Sequence, residues 1–199
     1  MKKLLLTLVC FLIVTFGVMA QTGQGTVALG GNISFTASTQ ETSTEDQKTT
    51  QVQFVPSAGY FVADNLMVGL HLGLSSSKTK QGNSETKSSE FAVGPFARYY
   101  MFTSNDKFAF TGETGLLFGS TKYTPTTGNE SKGSSIYFYI SPGFTYFLSD
   151  HWGLDFQLQG ISFTSSDPNK DTDNDKNNSF TIGAEFFNPS LGFRYYFSR

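Results

Sequence analysis

Cysteine is almost absent from this chain, and its one copy, Cys10, falls within the first twenty positions. That excludes a secreted scaffold held by disulfides. Histidine is nearly as scarce: His71 and His151 stand far apart, and neither has a second histidine or cysteine at metal-ligand spacing. Lysine, arginine and alanine are few beside abundant aromatics and glycine, a balance that suits strands better than helices. The formal net charge of −2 offers no basic footprint for nucleic acid. After the amino terminus no apolar run reaches the length of a membrane helix, so a membrane-spanning form of this chain has to be a closed barrel.

What is present begins with MKKLLLTLVCFLIVTFGVMA, a basic start, an apolar run from Leu4 to Val18 and a Val18-Met19-Ala20 ending before Gln21. Residues 1–20 are expected to be a secretory signal peptide cleaved after Ala20, leaving 21–199 as one barrel domain without cysteine. Thr7-Leu8-Val9 ahead of Cys10 is a poor lipoprotein box, so no lipid anchor is expected.

The rest of the chain alternates with a period of two. In TVALGGNISFTA, Val27, Leu29, Ile33 and Phe35 face one way and Thr26, Ala28, Gly30, Asn32 and Ser34 the other; Leu66, Val68, Leu70, Leu72 and Leu74 alternate against Met67, Gly69, His71 and Gly73. The same reading gives eight strands, near 26–37, 51–62, 66–74, 90–102, 107–121, 135–147, 152–165 and 179–197. Eight is the even number that a closed antiparallel up-and-down barrel of the bacterial type needs. Polar stretches at 39–50, 75–89, 122–134 and 166–178 read as long loops, whereas 63–65, 103–106 and 148–151 read as short turns. Parity slips between Ala184 and Phe187, which places a bulge there.

The distribution of charge decides which face is inside. One face carries Glu90, Arg98, Glu113, Asp155, Gln157, Gln159 and Arg194 among glycines and serines; the other is almost wholly Leu, Val, Ile, Phe and Tyr. A soluble ligand-carrying barrel has the reverse arrangement. A charge facing lipid at the midplane costs roughly 2–4 kcal/mol, so polar within and apolar without is the pattern a bilayer selects. Tyr60, Tyr99, Tyr146, Trp152, Tyr195 and Phe197 fall at the short-turn rim and should form an interfacial girdle. Every second strand carries a proline with an aromatic four positions on: Pro56 and Tyr60, Pro95 and Tyr99, Pro142 and Tyr146, Pro189 and Phe193. Proline lacks a donor, so either local bulges or a shared weak point in the ladder should mark these positions, unless the repeat merely descends from a duplicated hairpin.

The last strand reads Ser190-Leu191-Gly192-Phe193-Arg194-Tyr195-Tyr196-Phe197. Ser190, Gly192, Tyr195 and Phe197 resemble the carboxy-terminal signal read by the barrel assembly machinery, although Ser198 and Arg199 continue beyond it. With the leader and the hairpin layout, the chain is similar to the small OmpA/OmpX-type outer-membrane barrels often labelled porin-like. The resemblance implies the outer membrane of a Gram-negative bacterium, with its lipid and lipopolysaccharide and the assembly machinery as partners.

Four interior charges, Arg98, Glu113, Asp155 and Arg194, lie at similar distances from the short-turn end. They should meet as an alternating ion network with His71 at its upper edge, since unpaired buried charges are costly. Chemistry beyond that is sparse. His71, Glu113 and a serine could be drawn as a hydrolytic set, but the His-x-Ser pair of outer-membrane lipid A deacylases is missing: Leu72-Gly73 follows His71 and Trp152-Gly153 follows His151. Asp171-Thr172-Asp173-Asn174-Asp175 looks like the start of a calcium loop, yet Lys176 stands where its glycine belongs and Ile182 where its acidic twelfth ligand belongs. No metal, cofactor or enzymatic activity is expected. Phe61, Phe96, Tyr100, Tyr137, Tyr139 and Phe147 point inward, and a lumen of about eight strands barely holds its own side chains. The expectation is a plugged, non-enzymatic envelope or surface protein whose long external loops bind other molecules; the alternative is a narrow porin-like channel for small solutes.

Overall fold

The computed structural model describes residues 20–41, 45–127, 129–169, 176–183 and 190–197. Residues 1–19 of the expected signal peptide, the Asp171–Asp175 run, the 184–187 bulge and Pro189 lie outside these. A short 3-10 turn, Ala20–Thr22, precedes ten strand segments: β1 (Val27–Gln40), β2 (Gln47–Ala63), β3 (Leu66–Gln81), β4 (Ser84–Phe102), β5 (Phe108–Thr124), β6 (Ser131–Phe147), β7 (Trp152–Gln157), β8 (Ile161–Asp167), β9 (Asn177–Ile182) and β10 (Ser190–Phe197). β7 with β8 and β9 with β10 are the two halves of interrupted strands, so the wall has eight. Each pairs antiparallel with its neighbour in sequence, β10 pairs back onto β1, and the sheet closes.

Alternation decides the faces. Val27, Leu29, Tyr60, Leu70, Leu72, Phe91, Phe110, Phe118 and Phe138 are exposed on the outer wall, while Ala28, Phe61, Met67, Tyr100, Ala109 and Tyr196 are fully buried inside. This is a protein with its apolar side outward. At the short-turn end Trp152 meets Tyr195 edge-on with centroids 5.0 Å apart, and Tyr195 meets Phe197 at 4.7 Å. Asn65 closes the first short turn with φ of 64°, a left-handed conformation that asparagine tolerates.

The polar stretch at 75–89, read as a long loop, is mostly strand, and those at 39–50 and 122–134 carry strand at both ends. β3 and β4 continue in register to Gln81↔Ser84, and β1 and β2 to Gln40↔Gln47. Above the membrane both faces of a hairpin meet water, so the hydrophobic alternation vanishes although the backbone ladder continues.

The prolines do not bulge their strands at the first two sites. Pairs of β2 with β3 run to Phe54↔Leu74 and resume at Ser57↔His71 in the same register; β4 with β5 runs to Val93↔Phe118 and resumes at Phe96↔Gly115. At the third, β6 passes from Gly143↔Gln157 to Ile140↔Ile161, a shift of one residue. On the opposite side each proline is paired, Gly31↔Pro56, Leu70↔Pro95 and Gly112↔Pro142. All three therefore interrupt the ladder toward the following strand and leave the preceding one intact. Between β7 and β8 the chain advances from Gln157 to Ile161, while their partners advance from Ile182 to Ser190.

Candidate functional site in the barrel interior

The interior is built in layers from the short-turn end. Phe61, Tyr100, Phe147 and Tyr196 come from four strands and pack with ring centroids 5.4 to 6.2 Å apart. Tyr100 and Tyr196 oppose hydroxyls at 3.3 Å. Below them the first described residues cross the barrel mouth: Thr22 Oγ1 donates to Asn65 Oδ1 at 2.7 Å, and Gln21 Nε2 reaches Asp150 at 3.3 Å.

The next layer holds the four charges. Arg98 stands opposite Glu113 in the β4–β5 register, and its Nε donates to Glu113 Oε2 at 2.6 Å. Its Nη1 donates to Asp155 Oδ2 at 2.7 Å, and Arg194 Nε reaches the same oxygen at 3.0 Å. Two guanidinium groups and two carboxylates thus balance, with exposure of 1 to 5%. Neutral groups satisfy further lone pairs and donors of the network. Thr145 Oγ1 donates to Asp155 Oδ1 at 2.6 Å, Tyr139 Oη donates to Glu113 Oε1 at 2.7 Å, and Ser57 Oγ accepts from Arg194 at 3.3 Å. His71 Nε2 lies 3.1 Å from Glu113 Oε1, its ring tilted 33° against Phe96 with centroids 4.1 Å apart, and its buried Nδ1 has no partner.

Glycines make room for these side chains. A Cβ at Gly115 would sit 2.6 Å from the Tyr139 ring, and one at Gly153 would sit 3.1 Å from the Tyr196 ring. Tyr139, Thr145 and Ser57 were not singled out by sequence as partners of the charges. All three share inward parity, which is the only signal they carried; joining Tyr139 to Glu113 requires the β5–β6 register, in which Gly115 faces Tyr139.

Free space is unequal along the axis. Beside the ion network the cavity bordered by Ser57, Arg98, Asp155 and Arg194 holds about 10 Å³. Above it the lumen widens into cavities of about 430 and 450 Å³ that share Gln53, Val55, Leu117 and Tyr137 in their walls. No group of metal-binding side chains occurs among the described residues. Ser190, Gly192, Tyr195 and Phe197 lie together on β10, with Tyr195 and Phe197 outward at the short-turn rim and Gly192 inward opposite Asn32.

A closed wall of eight antiparallel strands, apolar outside and charged inside, defines the class: a transmembrane β-barrel. Over residues 6–186 the chain matches the family described as outer membrane protein beta-barrel domain, and it belongs to that family. Its place is the outer membrane of a Gram-negative bacterium. Among solved structures it is similar to the N-terminal beta-barrel domain of Pseudomonas aeruginosa OprF, with 14% identity, TM-score 0.44, 88% of this chain and 99% of that one covered. It is also similar to the outer membrane protein OprG of the same organism, with 15% identity, TM-score 0.45 and coverage of 91% and 100%. The translocator domain of autotransporter NalP from Neisseria meningitidis aligns at 10% identity and TM-score 0.40, covering 89% of each chain. No curated protein matches the sequence.

Proposed function

We propose that this barrel is a closed, non-enzymatic stave of the outer membrane whose external hairpins meet other molecules. One observation carries the reading: the lumen narrows from cavities of 430 to 450 Å³ to one of about 10 Å³ at the level of Arg98 and Asp155. A space that small holds about one water molecule. A hydrated solute has no continuous path through it, and desolvating one there would mean breaking ion pairs of 2.6 to 3.0 Å. The four charges serve as a structural lock, and the aromatic layer beneath them as a floor.

In this reading residues 1–20 direct export and are removed, and Ser190, Gly192, Tyr195 and Phe197 present the assembly signal to the insertion machinery. The short turns face the periplasm and the polar hairpins of β1–β2, β3–β4, β5–β6 and β8–β9 stand outside, in contact with lipopolysaccharide and whatever the cell surface encounters. The test is conductance. Purified protein in a planar bilayer should show no steady current beyond rare small openings, and Phe96→Ala with Tyr100→Ala should raise it. Stable, well-resolved channels from the unaltered protein would overturn the closed stave in favour of a narrow pore.

A further inference from the structure

Above the apolar band, the outward side chains of five neighbouring strands follow one order. Moving toward the long-loop end, the last apolar residue is followed two positions on by a hydroxyl and two further on by a lysine. The order is Leu74, Ser76, Lys78 on β3 and Phe91, Ser89, Lys87 on β4, and it ends the same way at Lys48 on β2, Lys122 on β5 and Lys132 on β6. Four residues of tilted strand place these lysines about 10 Å above the last apolar side chain. The register then sets like charges opposite one another: Lys48↔Lys80, Lys78↔Lys87 and Lys122↔Lys132.

Like charges in directly opposed positions destabilise a sheet. Carboxylates offset them in part. Glu85 lies 2.8 Å from Lys78, 3.2 Å from Lys87 and 3.5 Å from Lys80, and Glu130 lies 2.8 Å from Lys122. Around the rest of the wall the rim is mixed: Thr39 on β1 and Asp167 on β8 hold the equivalent outward places, and Lys176, at the end of the outward order Phe180, Asn178, Lys176, lines a common cavity with Asp167. The uninterrupted run of lysines is on β2–β6, and a closed barrel has no strand edge for lysine to protect. The same face carries a groove of about 730 Å³ bordered by Val52, Phe54, Leu74 and Phe91 below and by Lys122 and Lys132 above, with Glu90 also in its lining. Cationic rim and apolar floor are thus stacked along the membrane normal, the layout of an anionic lipid with its phosphates up and its chains down.

We propose that the outer face of β2–β6 is a binding site for a phosphorylated glycolipid of the outer leaflet, of the lipid A type. The lysine arc engages its phosphates, the hydroxyl row lies at the level of its acyl linkages, and the groove receives acyl chain. The proposal rests on the reading above that the long hairpins face outward, and it does not depend on the barrel being closed.

The test uses the mature full-length barrel in neutral detergent, with native mass spectrometry against lipid A carrying both phosphates and against the same lipid dephosphorylated. Bisphosphorylated lipid A should be retained and the dephosphorylated form should not. Lys122→Gln with Lys132→Gln should weaken retention by about 25-fold, at about fivefold per lysine near a charged lipid surface. Without lipid the same variant should melt near the parent temperature, relief of the like-charge pair offsetting loss of the exposed Lys122–Glu130 ion pair; with lipid A it should melt clearly below the parent. That dependence on lipid separates lipid binding from a purely structural role of the lysines. Retention unaffected by dephosphorylation or by the double substitution would overturn the proposal, as would equal retention of phosphatidylglycerol at matched charge. Surface labelling that placed Thr126 in the periplasm would overturn the orientation instead, independently of what the mass spectra show.

Discussion

Arg98→Ala is the most informative single change. The guanidinium is 1% exposed and joins two carboxylates, Glu113 at 2.6 Å and Asp155 at 2.7 Å. Removing one member of a buried ion cluster costs about 3–5 kcal/mol, because the charges left behind have already lost their water. The losses here are uneven. Asp155 keeps Arg194 at 3.0 Å and Thr145 at 2.6 Å, whereas Glu113 keeps no formal cation, only Tyr139 at 2.7 Å and His71 at 3.1 Å. Most of the penalty therefore falls on Glu113, and neutralising it should recover much of the loss. Urea unfolding of the barrel in lipid vesicles, followed through its single tryptophan, Trp152, gives the free energies. We expect Arg98→Ala to lose about 3 kcal/mol or more and Lys132→Ala to stay within about 0.5 kcal/mol of the parent. Arg98→Met with Glu113→Gln should fall between, with a coupling of about 1–3 kcal/mol in a double-mutant cycle. If Arg98→Ala and Lys132→Ala prove equally mild, the ion cluster does not hold the barrel together and the argument for a lock fails.

Cysteine labelling on intact cells should modify Thr126→Cys without permeabilisation and Asp106→Cys only after it; the reverse pattern would invert the barrel. Lys122, 2.8 Å away, holds the Glu130 carboxyl below the ordinary glutamate range. Its stabilising contribution is therefore present above the unfolded-state value and is lost as pH falls through the folded one; carbon-detected NMR should place the Glu130 midpoint low and move it up in Lys122→Gln. Phe197→Ala should slow insertion into vesicles supplemented with the assembly machinery while leaving the barrel, once folded, as heat-resistant on a gel. Unchanged insertion kinetics would remove the assembly role from β10's last aromatic.

How much of this was legible in the sequence varies with the kind of information each feature needs. Strand number, faces and the aromatic girdle follow from parity, because a bilayer imposes opposite chemistry on alternate residues; Leu66 to Leu74 can be read no other way. Parity also placed Arg98, Glu113, Asp155 and Arg194 inside. Their depth could be judged from distance to the short turns, since those turns are tight and leave little slack. The extent of the hairpins could not be read. Ser76, Lys78 and Lys80 alternate with residues equally polar, and only the ladder itself shows that β3 continues to Gln81. Partners such as Tyr139 and Thr145 depend on cross-strand register, to which a single strand's pattern contributes nothing. The direction of the proline interruptions was equally hidden. Which neighbour loses its hydrogen bond depends on whether the missing N–H would have pointed left or right along the wall, and parity speaks only of in and out.

Those interruptions have a mechanical consequence. At the height of Pro56 and Pro95 the wall is continuous within β1–β2 and β3–β4 and loses its pairing for two positions toward β3 and β5, closing again in register above. At Pro142 the seam stays tied, since Leu158 N–H donates to the proline carbonyl at 2.9 Å while the register moves by one. The openings lie just above the ion cluster, and each is bounded by intact ladder on both sides. Each is a window in an otherwise laced seam, where two ribbons can part slightly without the wall coming undone above or below.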